Sequence, residues 1–191
     1  EADASGALSL FRNKFSQNSV YGLVVGESVN ADTRNNIFDR NATAVYFKGN
    51  YNSTFVNNVV ANSTVAGISL YANTSLIKDY NNVYYQNKLH VKAAGTNLQK
   101  VSGYNVYYPA TADLFKNFTV QITSYKADPQ LDTTTWTPLT SSITIKAGNP
   151  DSAYNNTDGT RNTIGITGGP KSGISDTDHE DIGGINAVWN L

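Results

Sequence analysis

The 191-residue chain contains no cysteine and no methionine. The first absence excludes disulfides, cysteine-ligated zinc, iron–sulfur clusters and thiol catalysis. The second leaves no initiator, so a preceding segment is expected. Glutamate is nearly missing, at three residues, and all five prolines lie beyond residue 108. No apolar run approaches the roughly 18 residues of a membrane span, and no signal peptide is visible. Fourteen Lys plus Arg against fifteen Asp plus Glu give a net charge of -1. That balance supplies no field for gripping nucleic acid or an anionic membrane, so neither nucleic acid nor membrane insertion is expected.

What the chain does contain is 24 Asn, 20 Thr and 16 Ser, with 12 Tyr and 7 Phe. Such a composition is poor in helix formers and rich in turn and strand formers. Its polar, weakly charged, cysteine-free character suits an extracellular or cell-surface protein.

An internal repeat decides the fold class. Asn13-Lys14-Phe15, Asn36-Ile37-Phe38, Asn58-Val59-Val60, Asn82-Val83-Tyr84 and Asn105-Val106-Tyr107 follow one another at near-constant intervals. A second Asn comes four or five positions later, at Asn18, Asn41, Asn62 and Asn87. Short alternating strands follow at Leu23-Val24-Val25, Val45-Tyr46-Phe47, Ile68-Ser69-Leu70 and Leu89-His90-Val91. Neither the Leu framework nor the helical segments of a leucine-rich repeat are present. A coil of about 22 to about 24 residues, with short strands and Asn at fixed corners, predicts an all-β, right-handed parallel β-helix. Asn tolerates the left-handed backbone of a tight corner, and stacked amides can hydrogen-bond from coil to coil. Phe15, Phe38, Val60, Tyr84 and Tyr107 are then an internal column with steps of roughly 4.8 Å. The strands at 22–25, 44–48, 67–71 and 88–92 are expected to form one parallel sheet.

The C-terminal part carries Asp128-Pro129-Gln130-Leu131, Lys146-Ala147-Gly148-Asn149-Pro150 and Asp158-Gly159-Thr160-Arg161-Asn162-Thr163-Ile164-Gly165. With the coils, these resemble the pectate-lyase-like β-helix proteins, many of which close on segments of the type D-P-x-[LF], G-S-P-A and D-G-[ST]-R-x-D-I-G. The chain departs from that pattern at Asn149, Asp151-Ser152 and Asn162-Thr163. Asp158 and Arg161 read as a structural turn and ion pair rather than as catalytic groups. The heavy use of Asn is also similar to the disaggregatase-related β-helix domain of methanogenic archaea. That resemblance implies action on a uronic-acid-containing surface polysaccharide.

Strand alternation separates inward from outward side chains. With Leu23, Val25, Val45, Phe47, Ile68, Leu70, Leu89 and Val91 inside, the outward columns are Tyr46, Ser69, His90 and Lys48, Tyr71, Lys92. Aromatic faces stack on sugar rings, and Lys and His pair with uronate carboxylates. A uronan lyase needs charge neutralisation, a base and an acid. Lys48 or Lys92 would neutralise, His90 would be the base, and Tyr46 or Tyr71 the acid, with Ser69 in the track. A glycosidase instead needs two carboxyl groups about 5 to 10 Å apart. Asp39 and Asp79, two coils apart, are a weak candidate pair. Tyr, Ser and Lys are also ordinary on a solvated strand face.

Asp176-Thr177-Asp178-His179-Glu180-Asp181 offers the oxygen ligands calcium takes but lacks the EF-hand pattern, so no cofactor is called for and an acidic tail is expected. Asn41, Asn52, Asn62, Asn73, Asn117 and Asn155 begin N-x-[ST] sequons. Gly168-Gly169-Pro170-Lys171-Ser172-Gly173 lacks the spacing of a phosphate loop. Residues 1–170 are read as coils forming the C-terminal part of a longer solenoid, with a longer insertion at 109–150 that includes a strand at Ile143-Thr144-Ile145. Residues 171–191 are read as a tail whose Ile185, Val188, Trp189 and Leu191 cap the open end. The expected partners are a polysaccharide and the N-terminal remainder of the same chain. The function read from this is an extracellular lyase or glycosidase acting on an acidic polysaccharide, with a non-catalytic binding or structural module as the alternative.

Overall fold

Runs of three to six strand-forming residues alternate with single residues that turn the chain sharply, and this rhythm winds it into a parallel β-solenoid. The computed structural model describes residues 6–27, 29–49, 52–71, 76–94 and 99–172. Sheet A stacks β1 (Gly6–Phe11), β4 (Val29–Arg34), β7 (Ser53–Val56), β10 (Leu76–Tyr80) and β13 (Gln99–Gly103). Sheet B stacks β2 (Lys14–Ser16), β5 (Ile37–Asp39), β8 (Val59–Ala61), β11 (Val83–Tyr85) and β14 (Val106–Tyr108). Sheet C stacks β3 (Tyr21–Val25), β6 (Thr43–Phe47), β9 (Ala66–Leu70), β12 (Val91–Ala93) and β15 (Phe115–Lys116). All neighbours in these sheets are parallel. Sheet A pairs Ser9 with Asp32, Asp32 with Thr54, Thr54 with Lys78 and Lys78 with Val101, which is the period visible in the sequence.

Two corners separate the three sheets, and each is made by one residue in the left-handed region. Arg12, Asn35, Asn57, Asn81 and Tyr104 turn the chain from sheet A to sheet B. Gln17, Arg40, Asn62 and Gln86 turn it from sheet B to sheet C, all nine with φ between 53° and 59°. Asn is favoured there because its short polar side chain tolerates this backbone.

The ladder Asn sits one residue after the first corner and does a different job. Backbone N–H groups of Asn13, Asn36, Asn58 and Asn82 donate to the side-chain Oδ1 of the Asn one coil on, at 2.8 to 2.9 Å. Each Nδ2 bonds the same oxygen at 3.1 to 3.3 Å. Asn58 Nδ2 also donates to the carbonyls of Thr33 and Val56. Asn36, Asn58, Asn82 and Asn105 are fully buried. A second, shorter ladder links Asn18 to Asn41 and Ser63 to Asn87. Its third member is Ser63, not Asn62, which is the corner residue and donates to Asp39 Oδ1 at 2.8 Å.

Inside the coils, Phe15, Phe38, Val60, Tyr84 and Tyr107 form the expected column, with Phe15 on Phe38 and Tyr84 on Tyr107 both stacked at 4.9 Å. Stacked rings of this kind add to the burial that each contributes.

Beyond the coils the chain does not make the strand expected at Ile143-Thr144-Ile145. Those residues lie in a turn, and the small antiparallel pair is β16 (Leu131–Asp132) with β17 (Thr137–Pro138). Residues 126–172 instead lie along the outside of sheet B. Leu131, Trp136, Ile164 and Ile166 pack on its outward Ile37, Val59, Ala61, Val83 and Val106, so this sheet is buried on both faces.

The first-corner Asn residues hold that segment in place. Asn35 Nδ2 donates to the carbonyls of Ile166 and Gly168, both at 2.8 Å. Asn57 Nδ2 donates to those of Thr163 and Gly165, and its amide pairs reciprocally with that of Asn162. Asn81 accepts from Asn149 N at its side chain and from Gly165 N at its carbonyl. Gly168 must be glycine, since a Cβ there would collide with the Thr163 carbonyl oxygen. Asp158 forms the expected turn by accepting from Thr160. Arg161 bonds the carbonyls of Gly148 and Ala147, so the anticipated Asp158–Arg161 ion pair is replaced by a brace between the closing segments. The proposed capping residues and the acidic run at 176–181 lie outside the described residues.

Asn58→Ala removes both sides of a buried rung, and the expected cost is about 1 to 3 kcal/mol in chemical denaturation; an unchanged midpoint would contradict the ladder. Gly168→Ala is expected to release the lateral segment while the coils persist. Limited proteolysis should then cut within 126–172, with the far-ultraviolet signal of the parallel sheets retained.

Candidate functional site

Residues 126–172 cover sheet B and leave the outward sides of sheets A and C open, and of these sheet C carries the clustered tyrosine and lysine side chains. Its outward residues fall into one register column, Val24, Tyr46, Ser69, Lys92 and Lys116, each about 4.8 Å from the next. Lys48 and Tyr71 follow directly after β6 and β9, and their backbone N–H groups donate to the carbonyls of Val25 and Phe47 in the coils before them. The Tyr21 ring stacks on Tyr46 with centroids 5.3 Å apart and planes 18° apart. Tyr21 and Tyr71 are both more than two-fifths exposed. Lys48 Nζ stands 4.0 Å from Glu27 Oε1, whereas Lys92 and Lys116 have no carboxylate partner among the described residues. Partial burial, then the neighbouring Tyr21, Tyr71 and Glu27, raise the Tyr46 phenol above its ordinary range, so it stays protonated. The structure therefore brings Tyr46, Ser69, Lys92, Lys48 and Tyr71 onto one face. It moves Lys92 into the Tyr46 column and puts Ala94 where Lys92 was expected.

His90 is not on that face. The fourth coil pairs Val91, not Leu89, with Ile68, so the strand starts two residues later than the Leu-His-Val alternation suggested. His90 precedes it and turns inward, fully buried against Tyr84, Tyr107 and Phe115. Its Nε2–H donates to the Pro109 carbonyl at 2.6 Å, and Nδ1 accepts from Asn87 Nδ2 at 3.3 Å. This is the neutral tautomer, and burial pushes the imidazole below its usual value although the Pro109 bond opposes the shift. A base exposed to substrate is thus replaced by a corner plug.

The carboxylate pair dissolves likewise. Asp79 lies inside the coils, fully buried, accepting from Asn82 Nδ2, Tyr84 Oη, Ser102 Oγ and Asn105 Nδ2. Asp39 faces outward from sheet B. Among the described residues there is no cluster of three or more His, Asp or Glu that would hold a metal. Of the sequons, Asn41 is sealed inside the second ladder and Asn73 lies outside the described residues, while Asn52 and Asn117 are exposed.

Two members of the open face were not anticipated. Tyr21 stands two residues before the inward Leu23. Lys116 follows Phe115 in a coil whose strand is only two residues long. The period itself would have found Lys116, which is paired with Lys92 one coil before it.

A family model described as the right-handed beta helix region matches residues 2–117, well over half the chain and the whole run of coils. The chain belongs to the right-handed β-helix family. No curated protein and no solved structure matches it. In this right-handed β-helix the family match ends at residue 117, so the lateral segment at 126–172 is an addition beyond the coils.

Because folding lowers the His90 pKa, the β-helix is expected to lose stability as pH falls through about 6.5, the unfolded value, down to the folded one, below which the loss levels off. Thermal midpoints at pH 7 and pH 5 should differ less in His90→Gln than in the native chain.

Proposed function

We propose that this β-helix is an extracellular carbohydrate-active module that holds an acidic polysaccharide along the outer face of sheet C. The observation that carries the reading is the column Tyr46, Ser69, Lys92, Lys116 beside Tyr21, Lys48 and Tyr71. Phenol rings offer flat faces for the C–H side of sugar rings, and unpaired ammonium groups at a spacing of one coil suit carboxylates along a polymer. Binding without cleavage is the form this face supports best, because the histidine that would have been the base is inside the coil, and of the two candidate carboxyls Asp79 is sealed within the coils while Asp39 belongs to sheet B. A lyase or glycosidase acting on the same polymer, as the resemblance to disaggregatase-related domains implies, is the second reading. Its acid would be Tyr46 or Tyr71 and its neutralising group Lys48 or Lys92.

Lys92→Ala with Lys116→Ala is expected to weaken binding of a uronic-acid polymer about tenfold or more and to flatten its salt dependence, leaving a neutral polymer unaffected. Titration calorimetry at two ionic strengths checks this, and unchanged affinity would refute the track. Incubation with the same polymer separates binding from catalysis. Ultraviolet absorbance of an unsaturated product reports a lyase, new reducing ends without it report a glycosidase, and neither reports a binding module.

A further inference from the structure

Around the corner from sheet C, a cavity of about 330 Å³ is lined by Asp39, Arg40, Asn62, Tyr85, Thr133 and Trp136. Its polar wall comes from two successive corner residues. Arg40 Nε donates to Asp39 Oδ2 and Asn62 Nδ2 donates to Asp39 Oδ1, both at 2.8 Å, and the Asp39 side chain is more than nine-tenths buried. Its aromatic wall is Tyr85 set edge-on to Trp136, with centroids 5.7 Å apart. Trp136 is brought there by the lateral segment and is itself held at a positive φ of 59°.

We propose that this cavity is a second binding site, for a single neutral pyranose unit. The charges of its wall are already matched, carboxylate to guanidinium, so an anionic ligand would face Asp39 and a cationic one Arg40. A neutral polyol meets neither difficulty. Asp39 holds Arg40 and Asn62 in place from below, and the terminal nitrogens of the exposed Arg40 side chain make no hydrogen bond among the described residues, so they are free to donate to ring hydroxyls. The Thr133 hydroxyl adds a group that both donates and accepts. The half-buried Tyr85 offers an apolar edge to the C–H groups of the ring, with the buried Trp136 packed behind it, and the rest of the lining is polar. The volume lies at the small end of the roughly 300 to 1,000 Å³ of ligand pockets, enough to seat one ring.

Trp136 reports the site directly, since Trp189 is the only other tryptophan. In a Trp189→Phe background, the methyl glycosides of glucose, galactose and mannose are titrated to about 100 mM while indole emission is followed. At least one should give a saturable change with a dissociation constant in the millimolar range, about 4 kcal/mol or less of binding. Asp39→Asn should weaken it about tenfold. Thr133→Tyr, on an exposed turn, should abolish it by filling the cavity without disturbing the coils. No saturable change with any of the three, a change that survives Thr133→Tyr, or saturation by methyl glucuronide alone would each overturn the proposal. Lys92→Ala with Lys116→Ala should leave this signal intact, so failure here and failure of the sheet C track are separately visible.

Discussion

A parallel strand finds its hydrogen bonds in the coils above and below, and the left-handed corner residues still donate to the backbone of the next coil, but the N–H of the ladder Asn that follows the first corner is met by a side chain instead. In this molecule the amide of an Asn side chain takes over where the strands stop. Its oxygen receives the backbone N–H of the equivalent Asn one coil earlier, and its nitrogen reaches the carbonyls flanking the corner. No other side chain of that length offers a donor and an acceptor together. Once that rung is fixed, so is the phase of each coil, and the stacking of Phe15 on Phe38 or Tyr84 on Tyr107 follows from it. The left-handed residue just before each rung is the companion requirement, supplying the change of direction while the rung supplies the bonding.

Fixing the phase also sorts the faces. Sheet B carries aliphatic residues outward, and the lateral segment covers them. Sheet C carries tyrosine, serine and lysine outward and stays open. The binding chemistry proposed for this protein is therefore a remainder, on a face that neither the ladder nor the cover consumes; sheet A is open too, at Ser9, Asn30, Lys78 and Val101, but without the stacked tyrosines. The corner cavity arises where cover and coil meet.

The repeat was legible because the ladder demands one residue type at one spacing, and the sheet A register matches the Asn spacing residue for residue. Two misplacements had the same source. Asn62 looked like a rung, but in that coil the rung is Ser63, whose backbone N–H bonds Asn87 Oδ1 while Asn62 makes the turn. Leu89-His90-Val91 has the alternation of a strand, yet only Val91 keeps the distance from its rung seen in the other coils. From Asn18 to Leu23, Asn41 to Val45, Ser63 to Ile68 and Asn87 to Val91 the separations are five, four, five and four residues. Spacing, not alternation, carried the information. The docking of residues 126–172 was invisible because its contacts join positions more than a hundred residues apart, as Asn57 and Asn162 are. That contact needs an amide at residue 162, because the side chain both gives to and receives from Asn57.

Solenoids ordinarily tolerate gain or loss of a whole repeat, because each coil touches only its neighbours. The lateral segment removes that freedom here. It is tied at once to Asn35, Asn57 and Asn81, one residue from each of three consecutive coils, through groups whose own separations are set by turns and obligatory glycines. A coil inserted or deleted between any two of those residues would shift one tie by about 4.8 Å and leave it without its partner. The segment is a ruler laid along the stack, and it makes the number of coils in this part of the protein a fixed quantity rather than an adjustable one.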